Sequence, residues 1–371
     1  MRKISIIMML VMSGVMVATQ VWAVEAGGEI KLGYSGTWFE NGTFTDELTD
    51  SLDMELYLPR LGETDLSYAF RVGAPLQSLT AGQGASYFTK KLYLKHRFAP
   101  FHLTVGRQPV SWSFGSLLNP VDYTIGAEAF DDETSSKYTD AIEVYIPLNW
   151  NSSLALVTSF PVGFALETDK MKWGVRGRFG VKGYDLTINY VQEAAAAKAK
   201  TATVGTGGDG LTGLIPIPRR RMGFTFKGDL GDLGVYGAFG HYFGEGKEQG
   251  HSYLVGVDYS YNIDYYSKLT MQLEYLGLDG NNLLPLLGPY MLLSSGKERM
   301  DLLSGNLAYP IDDFSSIMLT AIANLDGSNY LIVPSYQNTL PGNIDLDLSF
   351  PFFLGEGDNS ASIGIGLNYP F

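Results

Sequence analysis

Residues Lys268-Leu269-Thr270-Met271-Gln272-Leu273-Glu274-Tyr275 place an apolar side chain at every second position and a polar or charged one between. A period of two fits a strand with one face in water and the other out of it, and it fits no helical period. The pattern recurs over 29–39, 49–58, 65–74, 86–98, 101–109, 139–147, 151–160, 170–179, 183–192, 219–228, 232–243, 250–261, 266–277, 298–309, 314–325, 329–338, 343–351 and 360–371, about 18 segments. Tyr253, Val255, Val257 and Tyr259, or Ile317, Leu319, Ala321 and Ala323, form uninterrupted apolar faces about as tall as a hydrocarbon core, often with Tyr near the ends. The opposite faces, with Lys268, Gln272 and Glu274 on one strand, are too polar for a dry core and should line water.

The first residues fix the compartment. Arg2 and Lys3 precede an apolar stretch from Ile4 to about Val17, and Val21-Trp22-Ala23 supplies a signal-peptidase site, so residues 1–23 read as a secretory signal peptide and 24–371 as one domain. The chain has no Cys, which excludes a lipoprotein anchor and a disulfide framework. Removing Arg2 and Lys3 leaves 24 cationic against 39 acidic side chains, a formal charge of −15 that argues against a nucleic-acid partner. No apolar run reaches the 18 residues of a spanning helix, since Leu283 to Leu293 is broken by Pro285, Gly288 and Pro289. An exported chain of this kind enters a membrane as a closed sheet, the remaining way to satisfy every backbone group in lipid. A soluble sandwich or propeller also alternates, but the lipid-facing sets argue against it.

Spacing sorts the connections into two kinds. Turns such as Phe98-Ala99-Pro100-Phe101, Gly180 to Gly183 and Pro310 to Asp313 are short, and they alternate with connections that are mostly longer, above all 110–138, 193–218 and 277–297. The expectation is an all-β transmembrane antiparallel barrel of about 18 strands, with 16 as the alternative, short periplasmic turns and long extracellular loops. The final strand, Ser362 to Phe371, resembles the C-terminal recognition strand of bacterial outer-membrane barrels. The resemblance makes Gly366, Tyr369 and Phe371 the signal for the barrel assembly machinery. Pro370 departs from it and removes one ladder donor.

Alternation also sorts the charges. Arg71, Lys91, Lys95, Arg97, Lys170, Lys172, Arg176, Arg178, Arg219, Arg221 and Lys227 fall on inward positions, as do Asp53, Glu55, Glu143, Asp258, Glu274, Asp301, Asp345 and Asp347. Basic positions concentrate between about 71 and 227, and most acids lie on 49–58 and beyond 250. Opposed walls of this kind set up a transverse field that selects ions; the alternative is that the charges pair and solvate a water-filled wall. Arg107 falls on the lipid side by strict alternation, so it sits above the membrane or a bulge turns it inward. Segment 110–138, with Asp122, Glu128, Asp131, Asp132 and Glu133, is the candidate constriction, an exposed loop being the alternative. The Ala run after Glu193 suits a short helix, and the Leu-Leu-Pro-Leu-Leu patch at 283–287 suits a lid or a receptor for hydrophobic solutes. His96, His102, His241 and His251 show no metal-ligand spacing with carboxylates and no phosphate loop is present, so no cofactor, metal or enzymatic activity is expected.

Gly106-Arg107-Gln108-Pro109-Val110-Ser111-Trp112, followed by Asn119-Pro120-Val121-Asp122, resembles a stretch of porin-like barrels of Gram-negative bacteria, including relatives of alginate-export and uncharacterised outer-membrane families. Asp326 to Asn329, Leu331 to Ser335 and Asn343 to Leu346 are similar to those barrels too. The resemblance implies an 18-strand-scale barrel and transport, without fixing a substrate. The expected function is a channel in the outer membrane for passive diffusion of small hydrophilic solutes or ions. The alternatives are a channel for hydrophobic compounds, polysaccharide or another organic substrate, and a sheath for a partner protein. The expected partners are the lipid bilayer, lipopolysaccharide and the assembly machinery, with monomer and homotrimer both open.

Overall fold

A computed structural model describes residues 24–74, 76, 85–112, 121–123, 138–160, 167, 169–194, 198–200, 214–216, 219–243, 249–263, 267–279, 299–325, 327, 329–355 and 359–371. The signal peptide expected over 1–23 and the acids Glu128, Asp131, Asp132 and Glu133 lie outside the described residues. The strands are β1 (Glu25–Phe39), β2 (Phe44–Tyr57), β3 (Thr64–Gly73), β4 (Ser86–Arg97), β5 (His102–Pro109), β6 (Tyr138–Asn149), β7 (Ser152–Ser159), β8 (Lys172–Val181) and β9 (Tyr184–Gln192). A small hairpin, β10 (Lys198–Lys200) with β11 (Leu214–Pro216), comes next, and residues 195–197 of the Ala run lie outside the described residues. The wall resumes with β12 (Arg220–Leu230), β13 (Leu233–Phe243), β14 (Gly250–Asn262), β15 (Lys268–Asp279), β16 (Arg299–Pro310), β17 (Ser315–Asn324), β18 (Tyr330–Leu340), β19 (Ile344–Ser349), β20 (Phe352–Leu354) and β21 (Ser360–Pro370).

Each wall strand pairs antiparallel with its neighbours, and β1 pairs with β21, so the sheet closes on itself. β19 and β20 both lie between β18 and β21 and form one interrupted strand, which makes 18 strands in the ring. The sequence reads that strand as continuous over 343–351. Instead the ladder breaks at Phe350-Pro351, opposite Pro334, where two prolines remove two donors.

Closure depends on the last residue. The Phe371 amide donates to the Gly28 carbonyl at 2.9 Å, and the Gly28 amide donates back to Phe371 at 3.0 Å. This reciprocal bonding makes Glu29↔Pro370 a non-hydrogen-bonded pair on the β1 side. The missing Pro370 donor therefore points the other way, past Asp345↔Asn368, where the β19 pairing ends. Gly366 faces inward opposite Gly33 and Asp347, while the Tyr369 ring stands on the outer wall beside Ile30.

Outward columns are apolar and open. Val255 and Leu273 are 54% and 49% exposed, whereas the inward Leu254 and Leu276 beside them are 1% exposed. An apolar outer belt on a closed sheet is the solution for a strand protein in lipid. The turns at the end that carries both termini are short, two residues each at 150–151, 182–183 and 231–232; the long connections 110–137, 193–219 and 280–298 share the other end.

The seam gives a direct test. Thr37 and Ser362 face each other across β1 and β21 with hydroxyl oxygens 2.9 Å apart, and the chain has no Cys to mispair. Thr37→Cys with Ser362→Cys should oxidise to one intramolecular disulfide, read as faster migration of the unreduced, heat-unfolded chain. Unchanged migration after oxidation would contradict this register.

Candidate functional site

The described parts of the β5–β6 connection, 110–112 and 121–123, turn into the barrel. Val110, Trp112 and Tyr123 pack with Ala141, Val157 and Val191 of the inner wall, all almost fully buried. The Trp112 and Tyr123 rings meet edge-on, 5.2 Å between centroids. Two bare positions make room for them. A Cβ on Gly223 would fall 2.4 Å from the Val121 Cβ, and one on Gly174 would fall 2.8 Å from the Trp112 ring.

Polar groups lock the same segment. The Asp122 carboxylate accepts the amides of Trp112 and Tyr123, each at 2.6 Å, and the Ser111 hydroxyl at 3.1 Å, so it ties the outgoing limb to the returning one. From β12, Arg221 Nε and Nη2 donate to the Asp122 carbonyl at 3.2 and 3.1 Å, and Nη2 also donates to the Tyr123 carbonyl. Arg221 Nη1 reaches Glu193 at 2.6 Å, and Lys172 reaches the same carboxylate at 2.8 Å while lying 4.4 Å from the Tyr123 ring centre. Asn189 donates to the Val121 carbonyl, and the Tyr123 hydroxyl bonds Ser159. Two carboxylates and two cations are thus buried together with matched charge, the condition under which buried ions are tolerated. Burial opposes the Glu193 charge, but Lys172 and Arg221 outweigh it and hold its carboxyl below the usual range.

A cleft between the inner segment and the wall is lined by Glu143, Tyr145, Ser153, Ala155, Arg176 and Arg178. Among the described residues no carboxylate lies within ion-pair distance of Arg176, whereas Arg178 bonds Asp185 at 2.8 Å. Lys172 and Arg221 face inward as expected but are consumed by the anchor, and so is Asp122. Arg219 stands on the exposed rim beside Asp169, off the inner wall.

On β2–β4 the expected separation of signs is absent. Arg71 makes two bonds to Asp53, at 2.8 and 2.7 Å, and Lys90 and Lys31 approach the same carboxylate at 3.3 and 3.9 Å. Lys91 pairs with Glu55 at 3.0 Å and Arg97 with Asp65 at 2.8 Å. The ladder shifts between Ala69 and Phe70, and the extra residue brings both Lys90 and Lys91 to inward carboxylates. Lys95 faces inward across Thr104 from Glu143.

Gly106 takes φ +127°, and a Cβ there would fall 2.2 Å from the Leu92 carbonyl. Beside this irregularity Arg107 bonds Asp140 twice at 3.0 Å and lies 5.8 Å from the ring of Phe88, which opposes the inward Arg71. Asp345 and Asp347 stay inward on β19, bonded by Thr339 and Asn368. Glu274 faces inward, buried, accepting from Tyr236 at 2.6 Å and Gln272 at 3.1 Å.

Asp301 does not face inward. It opposes Gly277 on the outer wall and joins Tyr253, Tyr275 and Arg299 near the rim. One feature escaped the alternation reading. Leu254, Leu276, Leu278, Met300, Leu302 and Ile322 face inward on β14–β17 and are almost fully buried, an apolar patch on the upper inner wall. The signal was present, because Tyr275-Leu276-Gly277-Leu278 puts its leucines off the outward phase once Gly277 occupies an outward position.

No protein-family model matches the chain, and no curated protein is similar to it. Several solved structures share its shape. Pseudomonas aeruginosa OccK11 (OpdR) superposes with TM-score 0.60 at 12% identity over 94% of this chain and 96% of that one. P. aeruginosa OpdL gives TM-score 0.61 at 9% identity, over 94% and 98%. A BenF-like porin from Pseudomonas fluorescens Pf-5 gives 0.58 at 12% identity, also over 94% and 98%. The chain has the closed 18-strand fold of these outer-membrane porins.

The anchor carries two expectations. Glu193→Gln leaves two buried cations short of a carboxylate, a change that costs about 3–5 kcal/mol for a buried pair. Chymotrypsin should then cut at Trp112 or Tyr123 at neutral pH, where the parent resists; equal resistance would overturn the anchor. The Glu193 carboxyl is depressed in the folded state, so its contribution is present above the unfolded value of about 4.3 and is lost as pH falls through the folded one. Single-channel noise of the parent should therefore stay flat from pH 7 to about 5 and rise only in stronger acid.

Proposed function

We propose that the chain is an outer-membrane channel for passive diffusion of small hydrophilic solutes, with the anchored segment Val110–Trp112 and Val121–Tyr123 as its constriction. The observation that carries this reading is a barrel with 110–112 and 121–123 pinned to its inner wall beside a cleft lined by Glu143, Tyr145, Arg176 and Arg178. A plugged structural barrel would not require charged groups facing open space beside the plug. The fold shared with porins supports the same reading.

The charge arrangement adds a preference. Arg71, Lys91 and Arg97 on β3 and β4 are neutralised by pairing, so the basic surplus narrows to Lys95, Arg176 and Lys227, with Arg178 shared. Asp345 and Asp347 stand on the interrupted strand about halfway round the ring from β8. A field across the lumen from that acidic side toward Arg176 orients dipolar solutes and favours anions beside the constriction. The outer wall meets lipid along its apolar belt and lipopolysaccharide above it, and the C-terminal strand is what the assembly machinery engages.

The Leu-Leu-Pro-Leu-Leu run at 283–287, which lies outside the described residues, favours a second reading, passage of hydrophobic compounds. Planar bilayers separate the two. Stable single-channel steps with an ion preference support the diffusion channel, and absent conductance together with saturable fatty-acid or detergent binding supports the second. In the conducting protein, Arg176→Gln with Arg178→Gln should move the reversal potential toward cations and abolish any anion preference. An unchanged potential would sink the charge assignment while leaving the channel intact.

A further inference from the structure

His241 and His251 are two of the chain's four histidines, and the ladder sets them directly opposite each other on β13 and β14. Phe239↔Tyr253, Gly237↔Val255 and Val235↔Val257 share their column, and Phe239 and Val255 are exposed on the outer wall. The histidines therefore project outward, one step above Tyr253 toward the end with the long loops. That step lifts them from the apolar belt to the level of polar head groups and external water. Asp279, opposite His251 on β15, adds a negative charge to the neighbourhood.

The two rings are placed as a unit. Their centroids are 4.9 Å apart with planes 26° from parallel, and their Nδ1 atoms are 2.9 Å apart. Phe243 meets His241 edge-on at 4.5 Å and Phe239 stacks over His251 at 6.1 Å, so both imidazoles are held from outside the pair. Two nitrogens each about 2.0–2.1 Å from one metal ion lie about 2.9 Å apart when the angle at the metal is about 90°. A tetrahedral centre needs about 3.3 Å. The two nitrogens, now joined by a hydrogen bond, are near enough for one ion to take both, and copper is the divalent first-row ion that nitrogen ligands hold most tightly. Turning one ring about its soft terminal torsion aims both lone pairs at one point without moving the backbone. The ring that carries its proton on Nδ1 shifts it to Nε2, so a neutral pair binds the ion with no net proton release.

We propose that His241 and His251 form a two-nitrogen binding site for a divalent copper ion on the outer wall at the external rim. Nickel binds more weakly there, following the general order for nitrogen ligands. Water fills the other positions, since no group of three or more His, Asp or Glu converges among the described residues.

The test uses the full chain folded in detergent micelles and titrated with copper(II) chloride, read by calorimetry and electron paramagnetic resonance. One ion per chain with a two-nitrogen spectrum is expected. His241→Asn or His251→Asn should weaken binding by more than the roughly 10- to 100-fold lost when an outer-shell partner is removed. His96→Asn and His102→Asn should leave it unchanged. His241→Gln with His251→Gln is a second variant, checked for folding by the heat-sensitive migration of the barrel, and it should lose the signal. Failure of the parent to bind copper, or equal binding by the folded protein carrying both His241→Gln and His251→Gln, would overturn the site. Channel conductance is independent of both outcomes.

Discussion

Two reciprocal amide bonds between Gly28 and Phe371 are what the rest of the molecule stands on. A strand protein in lipid has no water to satisfy a free edge, and each unsatisfied amide or carbonyl there costs several kcal/mol. Joining β1 to β21 removes both edges at once, and only then do inside and outside exist as separate environments. The apolar belt, the ion pairs of β2–β4 and the anchored segment all presuppose that division. The chain must supply a donor at its last residue, which explains why a proline is tolerated at 370 and would not be at 371.

The inner segment is held by a different physics. Its apolar side chains fill a cleft made by Gly174 and Gly223, while Asp122, Glu193, Lys172 and Arg221 neutralise one another out of water. Breaking such a group exposes an uncompensated charge, so the arrangement favours one position of the loop over many. Arg176 and Arg178 line the cleft beside it and keep their charge toward the lumen, which separates fixing the loop from lining the passage.

Period-two alternation made the wall legible in the sequence, because lipid on one side and water on the other demand it at every strand. Long faces such as 253–259 and 269–275 could be assigned without a partner. What the sequence did not yield depends on register between strands. Asp53 and Arg71 look like members of opposed walls until the ladder puts them side by side. The bulge at Lys90 shifts the phase by a residue and Gly106 takes a positive φ, and alternation alone cannot place the side chains around them. Inward Leu276 and Leu278 were hidden by the assumption that a barrel interior is polar throughout. His241 and His251 show no metal-ligand spacing along the chain, yet the hairpin folds about the middle of its loop and makes them partners.

The wall groups Asn189, Lys172 and Arg221 that hold the inner segment come later in the chain than the segment itself. Lys172 is 49 residues beyond Tyr123, Asn189 is 68 beyond Val121, and Arg221 is 99 beyond Asp122. Strands added in chain order would therefore build the first third of the ring with that segment loose, and its contacts would form one after another as β7, β8, β9 and β12 arrived. The narrow passage is a late event of folding, completed only when Arg221 of β12 takes the carbonyls of Asp122 and Tyr123 and the ring has closed behind it.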